Sequence, residues 1–293
     1  MAIALVAHPA LGTLAGQLGD ALPITGLYYP ARSRPKDATL PFFADLTAML
    51  EGTGARVCAF LSPYAGLAKD IGVCLEAGVD VLCAGPVPKL DLAAARKAHT
   101  QTGVRLSLGG IHHSAPHFTK AYQQRLNPFF DQPVYLRLIA GAQGPGLLPT
   151  WWAVCSQWAL ALDLLGEVPA NLHLSANHQG RAYQVALTAA APSGAIIQLV
   201  IAPQRTLMEL TLLGRGGLIS ASATQDGVAL ANAQTTQIVH DAMPPAELAW
   251  LRDFNDKKDP PATTDGSPRE YGAIMLRGLR QALRQRQPVL LAL

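Results

Sequence analysis

Residues 79–86, which read Val79-Asp80-Val81-Leu82-Cys83-Ala84-Gly85-Pro86, decide the fold of this chain. A short apolar run with β-branched residues that stops at Gly-Pro is typical of a buried strand in a parallel sheet. In open α/β sheets, ligands bind beyond the carboxyl ends of such strands. We therefore predict a strand over residues 79–83 and a ligand-binding edge at Gly85 and Pro86.

Strand and helix signals alternate on both sides of this stretch. The other predicted strands cover residues 3–7, 24–29, 56–61 and 104–108. The predicted helices cover residues 11–21, 42–50, 64–77 and 91–103. Repeated βα units of this length imply a parallel sheet with right-handed crossovers. The pattern predicts a Rossmann-like α/β domain over residues 1–112.

The rhythm changes after about residue 130. A long apolar helix over residues 151–165 precedes a series of strands, predicted at residues 172–175, 183–188, 195–201, 207–213 and 218–223. A polar, proline-rich loop (256–268) and a terminal helix (about 269–286) follow. A strand-rich half after one helix fits an α+β domain on a largely antiparallel open sheet, here residues 113–293.

Composition describes a globular protein with a large core, because 49% of the residues are hydrophobic and 15% are charged. The net charge of +3 is thinly spread, so we predict no nucleic-acid partner. The apolar stretch 147–166 is interrupted by Pro149, Gln157 and Asp163, so it predicts a buried helix and no membrane span.

The N-terminus lacks the basic region of a signal peptide, and we expect a cytoplasmic protein. The cysteines are spaced too widely for a Cys-x-x-Cys site, and buried thiols are expected at Cys58, Cys74, Cys83 and Cys155.

Several short motifs, in order, resemble the glucose-fructose oxidoreductase, inositol dehydrogenase and rhizopine-catabolism (Gfo/Idh/MocA) family. Residues 62–64 are similar to its Thr-Pro-Asn turn, residues 75–78 to its Leu-Glu-Ala-Gly segment, and residues 213–218 to a late Gly-x-x-Gly turn. The resemblance runs from residue 2 to about residue 290 and identifies the chain as a divergent member. It implies a dinucleotide-binding domain followed by a substrate domain whose sheet commonly forms a dimer.

The dinucleotide-binding turn is degraded. Aligned on the first strand, the pattern Gly-x-Gly-x-x-Gly falls on Ala7-His8-Pro9-Ala10-Leu11-Gly12, so only the third glycine remains. Pro9 removes a backbone N–H where phosphates would approach. The turn either still holds a pyrophosphate at a helix N-terminus or is kept only for packing. The cofactor-binding residues that the resemblance implies are Ala7, His8, Pro9, Gly12, Ser62, Pro63, Gly85 and Pro86.

The loop after the second strand carries Arg32, Ser33 and Arg34, with no acidic residue for an NAD ribose. These side chains either hold a 2′-phosphate or form a solvated basic loop. If a nucleotide binds, the sequence predicts NADP; otherwise it predicts no cofactor.

The family's proton-transfer groups are missing. Its catalytic lysine, in a Glu-Lys-Pro segment, falls on Gly85, and its Asp-x-x-x-His pair falls on Trp152 and Ser156. Neither of the latter acts as a general base near neutral pH without a partner. Trp151 and Trp152 are either core residues or part of a remodelled substrate pocket or interface that includes Ser156.

Three histidines, His112, His113 and His117, follow the last predicted strand of the first domain. Imidazoles titrate near neutral pH and are candidates for a replacement acid. A polar loop is the alternative, and a metal site is disfavoured because the spacing matches no zinc pattern.

Two functional hypotheses follow. The first is a non-catalytic ligand-binding or partner subunit that forms a dimer through its second-domain sheet or binds a different protein. The second is an NADPH-dependent reductase of an unsaturated or imine-type small molecule, with a histidine as proton donor. Fold alone does not separate them, because function depends on the site.

Overall fold

A computed structural model describes residues 2–8, 11–30, 40–87, 89–109, 111, 116–126, 130–142, 144–203, 208–222, 227–232, 236–239, 245–256 and 267–293. The chain divides into two compact units. The first comprises Met1–Ile111 with Trp250–Arg269, and the second comprises His112–Ala249 with Glu270–Leu293. The sequence-based boundary at residue 112 assigns everything after it to one domain, whereas residues 250–269 group here with the first unit.

The first unit contains a six-stranded, fully parallel sheet in the order β3-β2-β1-β4-β5-β6. Its strands are β1 (Ile3–Val6), β2 (Ile24–Tyr28), β3 (Phe42–Phe43), β4 (Val57–Phe60), β5 (Asp80–Cys83) and β6 (Leu106–Leu108). Its helices are α1 (Gly12–Ala21), α2 (Leu46–Thr53), α3 (Leu67–Glu76) and α4 (Leu92–Thr102). The central strands are buried throughout, which explains their continuous apolar sequences. The predicted Rossmann-like sheet is confirmed.

The start of α2 differs from the sequence-based prediction of a helix over residues 42–50. Phe42 and Phe43 form a short edge strand paired with Leu27 and Tyr28. The helix begins after Asp45, whose carboxylate accepts a hydrogen bond from the N–H of Ala48 at 2.8 Å. An aspartate in this position caps the helix, so the cap and not the aromatic pair sets the boundary.

The second unit contains a nine-stranded mixed sheet in the order β14-β13-β12-β11-β7-β10-β9-β8-β15. Only the β7–β10 pair is parallel, so the prediction of a largely antiparallel sheet is confirmed. The strands are β7 (Pro133–Gly141), β8 (Asn171–Gln179), β9 (Ala182–Ala190), β10 (Ile196–Ala202), β11 (Met208–Gly214), β12 (Gly217–Ser222), β13 (Gly227–Asn232), β14 (Thr236–Val239) and β15 (Val289–Ala292). The remaining helices are α5 (Pro116–Arg125), α6 (Leu147–Leu165), α7 (Ala246–Asp256) and α8 (Ser267–Gln285).

Helix α6 covers one face of this sheet and lies against β7, β9 and β10. Thirteen of its residues are buried, as the sequence predicts for the stretch 147–166. Pro149 lies in the first turn, where no intrahelical N–H is needed, and Gly166 ends the helix with φ of 74°. Within the described ranges, no helix has the length and hydropathy needed to cross a membrane.

Several elements were not predicted from the sequence: β7, α5, α7, β13, β14 and β15. Strand β7 is central, because it pairs with both β10 and β11. The expected loop over residues 256–268 lies mostly outside the described residues. The terminal helix is α8, and it begins two residues earlier and ends one residue earlier than expected.

Candidate functional site

The carboxyl ends of four parallel strands form one aligned edge in the first unit. Val6 pairs with Phe60, Phe60 with Cys83, and Cys83 with Leu108. The ladder continues one residue further, since the N–H of Leu61 donates to the Val6 carbonyl at 2.8 Å and the N–H of Ala84 donates to the Phe60 carbonyl at 2.9 Å. By this register His8, Ser62 and Gly85 follow at equivalent positions. The fold thus brings three of the predicted cofactor-binding residues to a single edge.

His8 and Ser62 are joined directly. The backbone N–H of His8 donates to the Oγ of Ser62 at 2.8 Å, and Ser62 is buried, with 4% of its surface exposed. The carbonyl of His8 accepts a hydrogen bond from the N–H of Leu11 at 2.8 Å. The Ser62 hydroxyl therefore accepts the hydrogen bond of a backbone N–H in the turn after β1. In a dinucleotide site, the backbone of this turn lies close to the pyrophosphate. Pro9 lies outside the described residues.

Helix α1 begins at Gly12, next to this turn. Leu11, at the N-cap, provides no side-chain hydrogen bond, and the first turn contains no acidic residue. The first N–H groups of a helix have no intrahelical acceptor, and the positive end of the helix dipole favours an anion. Ala7, the residue before His8, is buried and extends the strand, because its N–H donates to the Tyr28 carbonyl at 3.1 Å.

Gly85 provides no proton-transfer group at the end of β5. Gly85 and Pro86 are both buried. The thiol of Cys83 donates to the Gly85 carbonyl at 3.4 Å, and burial raises the pKa of Cys83 to about 12, so this thiol stays neutral. Lys89, further along the same loop, is exposed and has a left-handed backbone with φ of 62°.

The turn after β4 contains a polar pair that sequence reasoning missed. The phenol of Tyr64 donates to Oδ2 of Asp70 at 2.7 Å, directly after half-buried Pro63. Burial, together with the Asp70 hydrogen bond and charge, raises the pKa of Tyr64 well above its ordinary value. Asp70 lies in the first turn of α3, so its charge also stabilises the helix dipole. In the sequence, this hydrogen bond could have been predicted only from a tyrosine that precedes a helix and an aspartate six residues later in its first turn.

The predicted substrate-pocket residues lie on α6 in the second unit. Trp151 and Trp152 are buried, at 2% and 4% exposure, and Ser156 is partly exposed. The indole N–H of Trp151 donates to the carbonyl of Gly272 in α8 at 2.8 Å. Trp151 thus connects α6 and α8 of the second unit through a buried hydrogen bond. Trp158, about two helical turns after Trp151, is fully buried, and its indole N–H has no hydrogen-bond partner among the described residues.

Several predicted site residues are not described. His112 and His113 lie outside the described residues, as do Arg32, Ser33 and Arg34. His117 lies in α5, where only its backbone is described, so the expected polar loop ends before a helix that begins at Pro116. Among the described residues, no cluster of three or more His, Cys, Asp or Glu side chains could hold a metal ion.

Comparison with known proteins supports the fold and leaves the activity open. No protein-family model and no curated protein matches the sequence. A UDP-N-acetylglucosamine 3-dehydrogenase from Acidithiobacillus ferrooxidans superposes with a TM-score of 0.71 at 16% identity, covering 97% of this chain and 98% of that one. An NAD binding oxidoreductase from Klebsiella pneumoniae superposes with a TM-score of 0.66 at 14% identity, covering 100% of this chain and 99% of that one. The chain has the fold of the Gfo/Idh/MocA-type oxidoreductases, and the resemblance predicted from the sequence is confirmed at that level.

Proposed function

We propose that this protein keeps the scaffold of a nicotinamide-dependent oxidoreductase but has lost lysine-assisted hydride transfer, and that it acts as a ligand-binding or partner subunit. The observation that carries the proposal is Gly85. It follows β5 at the position equivalent to His8 and Ser62 in their strands, where the family resemblance implies a catalytic lysine. A glycine provides no group that can give or take a proton.

The His8–Ser62 hydrogen bond supports the same proposal. A backbone donor that already has a buried partner gains less from a phosphate, because binding must first break the existing bond. Ser62 therefore competes with a ligand for the first turn.

A second candidate is an NADPH-dependent reductase with a different proton donor. The start of α1 favours it, since the first turn has neither a side-chain cap nor an acidic residue to oppose a pyrophosphate. The oxidoreductase relatives superpose over essentially the whole chain, which is also consistent with a nicotinamide cofactor. His112, His113 or His117 would then be the proton donor, and Arg32, Ser33 and Arg34 would select NADP.

Calorimetric titration with NADP, NADPH, NAD and NADH first tests whether a nucleotide binds, as the reductase candidate requires. The test variant is Gly12→Asp, which places a carboxylate in the first turn of α1, where it stabilises the helix but repels phosphates. Gly16→Asp makes the same change one turn further from the helix start. Nucleotide binding that Gly12→Asp abolishes and Gly16→Asp retains would locate the nucleotide at this turn.

Turnover then decides the chemistry. We expect neither reduction of NADP⁺ with sugar substrates nor oxidation of NADPH with imine or unsaturated substrates, either by the natural chain or by Gly85→Lys, because the resemblance implies that the Asp-x-x-x-His pair is lost as well. Sustained NADPH oxidation by the natural chain would overturn the non-catalytic proposal in favour of the reductase.

We also propose a cytoplasmic homodimer. The four cysteines are free and buried, which fits a reducing compartment. The sheet of the second unit has one face covered by α5 and α6, and its opposite face carries exposed apolar side chains, among them Ile196, Leu213 and Leu218. Such a face supports self-association.

A further inference from the structure

The outward surface of α8 carries a row of arginines. Arg277, Arg280 and Arg284 are exposed and follow one another at spacings of three and four residues, so they lie along one face of the helix. We call these three residues the basic stripe. At 1.5 Å of rise per residue the stripe is about 10 Å long. Arg286, which is also exposed, follows directly after the end of the helix.

No acidic residue balances the basic stripe. From residue 271 to the last residue the sequence contains neither aspartate nor glutamate. Within the part of the chain that the structure describes, no ion pair or side-chain hydrogen bond involves the stripe or Arg286. Without these four arginines the formal net charge of the chain would be −1 instead of +3. The excess positive charge of the molecule therefore comes from this end of α8.

The arrangement does not favour the helix by itself. Arg280 has a like charge three residues before it and another four residues after it, and like charges at these spacings destabilise a helix. The negative end of the helix dipole stabilises only the last turn, which contains Arg284 but not Arg277. Arg286 has φ of 54°, a left-handed conformation that glycine adopts more easily at a helix end. Anionic groups bound between these side chains would relieve their mutual repulsion.

The inner face of α8 is anchored in the second unit. The carbonyl of Gly272 accepts the indole hydrogen bond of Trp151 at 2.8 Å. Gly278 lies directly against Leu291 of β15, because a Cβ at residue 278 would overlap the Leu291 side chain. These contacts hold the helix in place, so the basic stripe is presented on a fixed surface.

The chemistry of this surface fits a protein partner. Leu276 and Leu283 are half-buried and border Arg280 at four residues before it and three residues after it. Every basic residue from position 269 onward is an arginine, the cation that is enriched in protein interfaces and that binds carboxylates through two parallel hydrogen bonds. A nucleic acid or an anionic membrane is attracted by a broad positive field, whereas the rest of this chain has no excess of positive charge.

We propose that the basic stripe binds an acidic helix of a partner protein, whose carboxylates repeat at three- and four-residue spacing and pair with Arg277, Arg280 and Arg284. An apolar row on the same partner helix packs against Leu276 and Leu283. Two helices that cross at about 20° keep their side chains in register over this length. The inference goes beyond the proposed function, because it concerns a different surface and holds whether or not the chain turns over a substrate.

Fluorescence anisotropy on the full chain tests the inference with a labelled peptide of alanine, leucine and glutamate. The peptide has about 20 residues, enough to be helical in isolation, and carries its glutamates at three- and four-residue spacing beside a row of leucines. The triple variant Arg277→Gln, Arg280→Gln and Arg284→Gln should raise the Kd of the peptide about tenfold or more, because three ion pairs are lost together.

A matched control removes the same charge elsewhere. The triple variant Arg56→Gln, Arg96→Gln and Arg215→Gln changes three exposed arginines outside α8 and should leave the Kd within about twofold of the natural value. Replacement of all three stripe residues by glutamate should reverse the preference, so that the chain binds the same peptide with lysines in place of its glutamates. Circular dichroism verifies that each variant is folded.

Loss of binding in the stripe variant, with binding kept in the control, supports the inference. It is overturned if the natural chain does not bind the peptide at submillimolar concentration, or if the stripe variant binds it as tightly. Equal affinity for an isomeric peptide whose glutamates are spread around the helix also overturns it. Tighter binding of a single-stranded oligonucleotide or of phosphatidylserine vesicles through the same arginines would assign the surface to a different class of partner and overturn the inference.

Discussion

Ser62 shows how much one hydroxyl contributes at the carboxyl edge. Ser62→Ala removes the hydroxyl that accepts from the half-buried N–H of His8, and such a loss costs about 1 kcal/mol of folding free energy. We expect urea denaturation to show this decrease. Ser62→Thr keeps the hydroxyl and should recover most of it; equal stability of the alanine and threonine variants would mean that the bond contributes nothing.

Tyr64 makes the free energy of unfolding depend on pH in the alkaline range. Its pKa in the folded chain is raised above the ordinary value of about 10, so the folded state holds the proton more tightly than the unfolded state. The resulting stability is present below about pH 10 and is lost as the pH rises above it. We expect the stability difference between the natural chain and Tyr64→Phe to shrink across that range in denaturation experiments; a constant difference contradicts the assignment.

At the scale of the element, α6 depends on a residue from another helix. Nε of Arg125, at the end of α5, donates to the Leu164 carbonyl at 2.7 Å, and its Nη2 donates to the Leu165 carbonyl at 3.0 Å. A cation at the carboxyl end of a helix donates hydrogen bonds to carbonyls that have no intrahelical partner. Its positive charge also interacts favourably with the negative end of the helix dipole. Arg125→Ala should lower the unfolding free energy by about 1–2 kcal/mol. Arg280→Ala on exposed α8 surface is the control and should change it little, as calorimetry would show.

Local signals account for most of the elements that the sequence predicts correctly, and tertiary contacts account for some of those that it does not predict. The strands of the first sheet are continuous apolar runs, so their type is evident without neighbours. Phe42 and Phe43 carry no such signal, because they form a strand only by pairing with Leu27 and Tyr28. Strand β7 alternates Leu136, Leu138 and Ala140 inwards, and it could have been found from that period.

The candidate site was only partly predictable, because some of its contacts join residues that are far apart in sequence. Motif alignment places Gly85 and Ser62 at strand ends, and the sheet register agrees. The His8–Ser62 bond depends on two strands that are 54 residues apart in sequence, so no local pattern encodes it. Trp151 is similar, since its partner Gly272 lies 121 residues away.

At the scale of the whole molecule, one arginine fastens the returning chain to the first unit. Arg105 contacts Asp80 through Nε at 2.7 Å and Nη2 at 2.6 Å, donates to the Phe254 carbonyl at 3.4 Å, and stacks its guanidinium 4.1 Å from the centre of the Phe254 ring. Trp250 and Leu251, which lie in the same helix as Phe254, are buried as well. The arginine thus holds the second half of α7 in place.

Removing this arginine should loosen α7 before the sheet. Arg105→Ala leaves a mostly buried Asp80 carboxylate without its cation, which costs about 2–4 kcal/mol. We expect amide hydrogen exchange at residues 250–256 to accelerate more than exchange in β1. Arg105→Lys keeps the charge but not the planar fork, so its effect should be intermediate. Uniform acceleration throughout the first unit would contradict a local role.

The grouping of Trp250–Arg269 with the first unit also matters while the chain is being made. Multidomain proteins generally fold from the N-terminus as they leave the ribosome. Here Arg105, next to β6, is translated before the β7–β14 region of the second unit, whereas Phe254, whose ring the Arg105 guanidinium contacts, is translated after that region. The nascent first unit therefore lacks the contact between Arg105 and Phe254 until residues 112–249, nearly half of the chain, have been translated.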